Sequence, residues 1–432
     1  MVGSSRKISE EEKKHVQNHI NNFPKFESHY TRSHNPNRKY LHPDLTVKKM
    51  FNLYELHCKE NNIKAVNEWT YRKIFTKDFN LHFHQPRKDT CQKCDLLNIK
   101  IKASDDDEEK NKLMEEHDVH LRLAESARKS LKQDQELVLR NSDHYFSFSF
   151  DLQKALPYPK LTTSVAYYKR NMYVLNLGIH NFHDDNVHMY VWDETIASRG
   201  SQEIASCILK HLKNVTSQRH IIAYSDMCAG QNRNIKVALT WLKIVQSVEN
   251  NVEIVDHKFL VSGHSFLPND RDFGVVEMSL KKNNLLFVPQ DYYNVIKKCR
   301  KGNNFILNEM KQKDFISTRL LEDAIFRRVK NSNGETINWL KICWMRFLRN
   351  EPYKIFYKIS MDENAEFKIM DLLPRRGRPR KFENIVLTPL YKNIRQISTA
   401  KYKDMMDLLR YIPPEHHDFF KSLPHTRNVD EQ

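Results

Sequence analysis

HYFSFSFDL, residues 144–152, decides how the middle of the chain is read. Phe146, Phe148 and Phe150 alternate with Ser147 and Ser149. Period two marks a strand with one apolar face, whereas a helix would repeat its apolar residues every three or four positions. Asp151 stands at the strand's end. Two more strands follow, NMYVLNLGIHNF (171–182) and NVHMYVWDE (186–194), joined by the turn signal HDDN. The pattern then changes. SRGSQEIASCILKHLKN (198–214) places Ile204, Ile208 and Leu212 at helical spacing. HIIAYSD (220–226) is a short buried strand, QNRNIKVALTWLKIVQSV (231–248) a helix, VEIVDHKFLVSGHS (252–265) a strand, and DRDFGVVEMSLKKN (270–283) a helix again.

Hairpin-linked strands form the antiparallel half of a sheet, and strands separated by helices add to it in parallel. Three strands followed by helix–strand–helix–strand–helix is the order of the ribonuclease H-like fold. The expectation is therefore an α/β chain with a ribonuclease H-like mixed-sheet core at 143–300.

That order places acids at strand ends. Asp151 closes the first strand, Asp226 closes HIIAYSD, and Asp270 and Asp272 lie just past the strand that ends near His264. In this topology the strands of Asp151 and Asp226 are neighbours at the sheet centre. Unshielded carboxylates that close repel until one takes up a proton, and a divalent cation removes the conflict. Mg²⁺ or Mn²⁺ prefers carboxylate and water oxygens. Two such ions, about 3.5–4 Å apart, activate an attacking oxygen and stabilise a leaving one, so the reaction class is phosphoryl transfer. Each acid also has a plainer reading. Asp226 could cap the helix after MCAGQN, and Asp272 could cap the helix at FGVVE. Glu277 is a fallback ligand, and His264 either assists at the metal site or bonds a loop.

Before the sheet, residues 1–35 form a polar tail. In 36–80, DLTVKKMFNLYELHCKENN carries Val47, Met50, Phe51 and Tyr54 at helical spacing, with Asp44 or Thr46 as cap. VNEWTYRKIFTKDF starts at the cap Asn67 and is expected to turn Trp69, Ile74 and Phe75 inward and Arg72 and Lys73 outward. Two short helices with a tight turn and a basic second helix fit a helix-turn-helix, though helical pairs with no DNA contact share the pattern. Segment 81–140 holds Cys91 and Cys94, then a long helix with Val119, Leu123, Ala127 and Leu131 on one stripe. His117 and His120 share a face near its start. Cys-x2-Cys with two His suits a structural, tetrahedral zinc ion, with His82 and His84 as alternates to the later pair; a reduced Cys pair beside surface His is the plain alternative.

Beyond the core, 301–372 mixes helix and strand and reads as an accessory α+β segment. LLPRRGRPRKF (372–382) opens a last segment, 373–432, that ends in two helices around Pro413-Pro414. Arg375, Arg376, Gly377, Arg378, Pro379 and Arg380 resemble an AT-hook. Gly and Pro keep the backbone thin and extended, and the Arg side chains reach into a narrow A·T minor groove. A basic linker or nuclear localisation signal is the plain alternative. The formal charge of +16, from 70 Lys and Arg against 54 Asp and Glu, points to a polyanion partner. No run of about 18 apolar residues or signal-peptide pattern occurs, so no membrane association is expected.

FDLQKALPYPKLTT (150–163), YSDMCAGQNRN (224–234) and DHKFLVSGHSFLPNDRDFGVVE (256–277) resemble blocks of a family of transposon-derived proteins of arthropod and other animal genomes. RKDTCQKCD (87–95), HDVHLRLAESAR (117–128) and KYKDMMDLLRYIPPEH (401–416) are similar to it as well, so the resemblance spans roughly 30–430. It implies a DDE/D-type transposase with a ribonuclease H-like core. The family pattern Gly-His-Thr-His-x-Asp-x-Asp-x-x-Phe, laid over Gly263-His264-Ser265, puts its second Asp on Asp270 and its Phe on Phe273. Phe266 and Pro268 depart from it. The expectation is a nuclear transposase, active or domesticated. Its Asp151, Asp226 and Asp270 would bind two Mg²⁺ or Mn²⁺ ions and cut and join double-stranded DNA at transposon ends, in a homodimer or larger assembly. The rivals are a catalytically silent DNA-binding descendant and a nuclease without strand transfer.

Overall fold

The computed structural model describes residues 8–23, 25–27, 39–41, 45–83, 91–213, 215 and 217–426. The chain divides into two compact units, 1–118 and 119–432.

In the first unit, α1 (Glu10–Asn21), α2 (Val47–Glu60) and α3 (Glu68–Asp78) pack around Val16, Ile20, Met50, Phe51, Tyr54, Tyr71, Ile74 and Phe75. A reciprocal Ser9–Glu12 capping box starts α1. Thr46 caps α2, accepting from the Lys49 N–H at 3.1 Å; Asp44, the other expected cap, lies outside the described residues. Asn67 caps α3, accepting from the Thr70 N–H at 2.8 Å. Once Asn67 fixes the start, Tyr71, Ile74 and Phe75 fall on one face. Trp69 lies on the other and is 68% exposed, with the Lys73 ammonium 4.7 Å from its ring centre. The expectation of an inward Trp69 is thus corrected. The strands β1 (Phe26–Glu27), β2 (Lys39–Tyr40) and β3 (Leu81–His82) form a small sheet, and α4 (Gln92–Ala103) follows.

The helix α5 (Asp107–Arg140) buries His120, Ala124, Ala127, Leu131 and Val138. The expected stripe holds at Ala127 and Leu131 and fails at Val119 and Leu123, which are exposed. The buried positions step by three or four residues from His120, so the stripe runs one position round from Val119 and Leu123.

The second unit is built on one mixed ten-stranded sheet in the order β10-β7-β6-β4-β8-β9-β12-β13-β14, with β5 added to β6. Its central strands are β4 (Tyr145–Leu152), β6 (Met172–Asn181), β7 (Val187–Asp193), β8 (His220–Asp226) and β9 (Ile254–Leu260), and β5 is Leu156–Tyr158. The ladders β4–β6 and β6–β7 are antiparallel, and β4–β8 and β8–β9 are parallel. The helix α6 (Ser201–Leu212) precedes β8, and α7 (Ile235–Val245) lies between β8 and β9. Both pack on the Phe146–Phe148–Phe150 face, burying Ile204, Ile208, Trp241 and Leu242. Fully burying each such side chain stabilises the fold by roughly 1.5–3 kcal/mol.

The serine face of β4 is not solvated: Ser147 and Ser149 are fully buried. They pair in register with Ile222 and Tyr224 of β8, which pack with Ala127 and Leu131 of α5. Small serines here make room for a helix rather than marking a wet surface. Farther along, α8 (Pro268–Lys282) and α9 (Pro289–Lys298) cover β6 and β7 through Phe273, Val276, Tyr292 and Ile296.

Residues 301–372 extend the same sheet at both edges. The strand β10 (Ile306–Glu309) adds parallel to β7, while β12 (Trp344–Leu348), β13 (Lys354–Lys358) and β14 (Lys368–Asp371) add antiparallel beyond β9. The segment expected to stand as an accessory unit is part of this one. Two short strands, β11 (Ile316–Ser317) and β15 (Thr388–Pro389), pair with each other, and α10 (Arg319–Glu322) follows β11. The chain closes with α11 (Thr399–Leu408) and, past Pro413-Pro414, α12 (His417–Lys421).

A buried ion network ties the far half of the sheet. Asp256 accepts from Arg346 (2.8 and 2.9 Å) and Trp344 (2.7 Å), and sits 2.7 Å from His220. Burial alone would raise its pKa, but His220 and Arg346 outweigh it and hold the carboxyl well below the usual range. No helix among the described residues is long and apolar enough to cross a membrane.

Candidate functional site

The parallel ladder between β4 and β8 pairs Ser149 with Tyr224. Two residues further along each strand, the same register sets Asp151 beside Asp226, on the face that α5 covers. Asp151 is also paired with Gly178 across the β4–β6 ladder.

Gly178 explains how a third acid arrives. A Cβ there would stand 2.8 Å from the Phe273 ring of α8 and 3.3 Å from Asn269 Nδ2. Its bare backbone lets α8 lie close to the sheet, and Asn269 Nδ2 donates to the Gly178 carbonyl at 2.9 Å. The first turn of α8, with Asp270, is thereby held on the strand next to Asp151. The Asp151 carboxyl titrates well above the ordinary range; burial is the largest cause, followed by the charges of Asp226 and Asp270. Three acids on β4, β8 and α8 therefore act on one point.

Asp226 is oriented from behind. Its Oδ1 accepts from Asn232 Nδ2 at 2.6 Å and from the Cys228 N–H at 3.0 Å. Beneath it, Trp241 Nε1 donates to His257 Nδ1 at 3.1 Å, so His257 Nε2 carries the proton and donates to Ser225 Oγ at 2.9 Å. Burial pulls the His257 pKa down to about 3 and keeps the ring neutral. The AGQNRN segment thus divides its roles: Asn232 holds the acid, while Asn234 caps α7, accepting from the N–H groups of Lys236 and Val237. No helix cap is made by Asp226, since α7 begins only at Ile235.

Asp272 has a different place from the expected one. The helix α8 starts at Pro268, so Asp272 lies inside it rather than at its cap. It is buried, with Oδ2 2.7 Å from His180 Nδ1, and His180 Nε2 is 2.9 Å from Asp185. Arg300 in turn pairs with Asp185 at 2.5 Å. Asp272 therefore fastens α8 to β6. Glu277 is exposed, two turns after Asp270 on α8.

His264 lies elsewhere than at the acids. Cys91, Cys94, His120 and His264 form a buried group whose ligand atoms all lie within 4.8 Å of one another and could hold a metal ion. The His120 and His264 rings meet edge to face at 5.1 Å. Two thiols and two imidazoles are the donor set of structural zinc. Burial, then Cys91, push the Cys94 thiol up to about 12, a strain that a cation reverses. Sequence spacing found Cys91, Cys94 and His120 and missed the fourth member. His264 stands where His117 was expected. Gly263 (φ +77°) and Phe266 (φ +45°) shape the turn that carries it. His82 is exposed on β3 and outside the group, and His84 lies outside the described residues.

The basic segment 375–381 is exposed throughout, with bends at Arg375–Gly377 and no regular structure. Gly377 takes φ +80°, a value glycine adopts freely. Its ends are anchored: Arg375 stacks over Phe326 at 4.3 Å, Tyr353 Oη donates to the Arg380 carbonyl, and Phe382 is buried. On α3, Arg72 and Lys73 are exposed beside Trp69. Compared with known proteins, the chain matches no family model and no curated protein.

Proposed function

We propose that this protein is a DDE/D-type transposase, or a domesticated descendant that keeps its chemistry, with a ribonuclease H-like core and a nuclear site of action. The observation that carries the reading is the convergence of Asp151, Asp226 and Asp270, from β4, β8 and α8, on one point where each raises the cost of charging Asp151. A fold gains nothing from gathering like charges, whereas a phosphoryl-transfer site needs them.

The donor set fits hard divalent cations, since all three groups are carboxylates. Mg²⁺ or Mn²⁺ bound there would neutralise charge on the transferred phosphate and make water a better nucleophile. The chain's own residues do the rest. Asn232 fixes the Asp226 carboxylate, and Gly178 and Asn269 fix the helix that carries Asp270. In the first reaction a water oxygen displaces the 3′ oxygen of a DNA strand; in the second, that freed 3′ hydroxyl attacks a phosphorus of target DNA and displaces its 3′ oxygen. The exposed 375–381 segment, Arg72 and Lys73 and the net charge of +16 support DNA as the partner.

The test is full-length protein with Mn²⁺ and DNA carrying the ends of the element that encodes it. Cleavage and joining are expected, both lost in Asp226→Asn. Cutting without joining would reduce the reading to a nuclease, and tight binding without cleavage would reduce it to a silent DNA-binding descendant.

A further inference from the structure

At the start of α7, following in sequence the Asn232 that bonds Asp226, is a cleft of about 350 Å³. We propose that it binds one phosphate and one unstacked base of the DNA strand beside the cleavage point, an inference that rests on the DNA reading above.

The cleft begins where Asp226 is held. Asn232 bonds Asp226, and the next residues, Arg233 and Asn234 at the start of α7, line the cleft. Arg327, Arg328 and Trp339 form another wall, and Met370 contributes apolar surface. The volume falls in the range of small-molecule sites, and the lining has the composition such sites use, an apolar body with a few convergent polar groups.

Arg233 points most directly to an anion. It is only 6% exposed. Its Nη1 donates to the Ile342 carbonyl at 3.1 Å, but its Nε is buried with no hydrogen-bond partner; no carboxylate is in ion-pair contact with it among the described residues, and Asp226 acts on it only through its field. A buried guanidinium left so incompletely compensated is costly, and a phosphate nearby offsets that cost. The eleven-residue α7 adds the positive end of its dipole. The Lys236 and Val237 N–H groups are already taken by Asn234, so this contribution is electrostatic. Arg327 and Arg328 are backed by Glu322 at 2.6 Å and Asp371 at 3.3 Å. A guanidinium carries five donors, so a carboxylate behind it orients it without exhausting it.

Trp339 supplies the second half of the ligand. Its indole is half-buried, on a short turn that packs against the core. A rigid aromatic face beside arginines is what an extrahelical base stacks on, whatever its identity. A phosphate-only site would have no use for Trp339 and Met370, and an apolar ligand would leave three arginines unused.

The probes are dTMP, thymidine and inorganic phosphate, titrated calorimetrically into the full-length protein in EDTA, so that the acids play no part. Binding of dTMP tighter than either fragment is expected. Trp339→Ala and Arg327→Ala should each weaken it about tenfold, and Arg327→Ala should do so with unchanged melting temperature. Equal binding of thymidine and dTMP, or dTMP affinity untouched by both substitutions, overturns the proposal. Because no divalent metal is present, its failure is separable from failure of the acid triad. Cleavage that depends on Asp226 with no dTMP binding would sink the cleft alone. Binding of dTMP as described by a protein that never cleaves would sink the triad and leave the cleft standing.

Discussion

Gly178 lies across the β4–β6 ladder from Asp151 and directly under Phe273 of α8. The same glycine thus borders one acid and sets how near the helix of another can come. Gly178→Ala would force a Cβ to within 2.8 Å of the Phe273 ring. The buried ring must move, which costs about 1–3 kcal/mol. Chemical denaturation should read that loss. Metal-dependent cleavage should fall further than stability does, with a higher Mn²⁺ requirement. Cleavage that stays at its original level and Mn²⁺ requirement in a destabilised variant would uncouple the helix position from the site.

Asp270 and Asp272, two residues apart, should respond oppositely to neutralisation. Asp270→Asn removes a charge that opposes ionisation of Asp151, so the metal-free protein should be as stable as the original or more so, and cleavage should vanish. Asp272→Asn weakens the buried contact with His180 and should cost about 1–3 kcal/mol. Melting curves in EDTA beside cleavage rates in Mn²⁺ separate the two. Equal destabilisation by both would remove the distinction.

Asp151 gives the metal-free protein an unusual pH dependence. Its folded pKa is raised, by burial first and then by Asp226 and Asp270, so the folded state binds more protons than the unfolded state above the ordinary Asp value of about 3.9. Stability from this group is therefore present below that value and declines as pH rises through the raised pKa. Asp256 has the opposite sign, since its pKa is depressed: its contribution is present above about 3.9 and is lost as pH falls through the folded value. Asp151→Asn should flatten the decline above pH 4 while leaving acid unfolding in place, as read from melting temperature against pH in EDTA.

The strand at 145–152 and its neighbours were legible because alternation and turn residues are local signals. The acids at strand ends followed from the strand order. Other features were not local. Serines 147 and 149 alternate with phenylalanines as solvent-facing residues do, yet Ala127 and Leu131 of α5, 16 or more residues upstream, cover that face. Trp69 has the chemistry of a core residue, yet the face that packs inward is that of Tyr71, Ile74 and Phe75, and Trp69 lies off it. His264 could not be paired with Cys91 and Cys94 by spacing, because 170 residues separate His264 from Cys94. Asp272 reads as a cap only for a helix that begins at Phe273, five residues after the observed start of α8. Pro268 at the first helical position is the signal that would have placed it.

The Cys91, Cys94, His120 and His264 group predicts about one zinc per chain by elemental analysis of protein purified without chelator. Cys94→Ser and His264→Asn should each lower that content, whereas His117→Asn should not. Zinc binding needs deprotonated thiols, and burial with Cys91 holds the Cys94 thiol up to about 12 in the metal-free state. Metal retention should therefore weaken as pH falls. Zinc content unchanged in Cys94→Ser, or lost in His117→Asn, would reassign the ligands.

Arg376 and Arg378 flank Gly377 on an exposed segment held at both ends. Anchoring at both ends restrains the loop, which lowers the entropic cost of placing its arginines in a narrow minor groove. Changing both to Ala should weaken binding to A·T-rich duplexes more than to G·C-rich ones, and should reduce the slope of log affinity against log salt by about two. A salt slope that drops while the A·T preference stays constant would make the segment a phosphate clamp only. Fluorescence anisotropy over a salt series, with A·T and G·C duplexes of equal length, reads both quantities. Neither Arg376 nor Arg378 lines the cleft at Arg233 and Trp339, so the double substitution should leave dTMP affinity in EDTA unchanged.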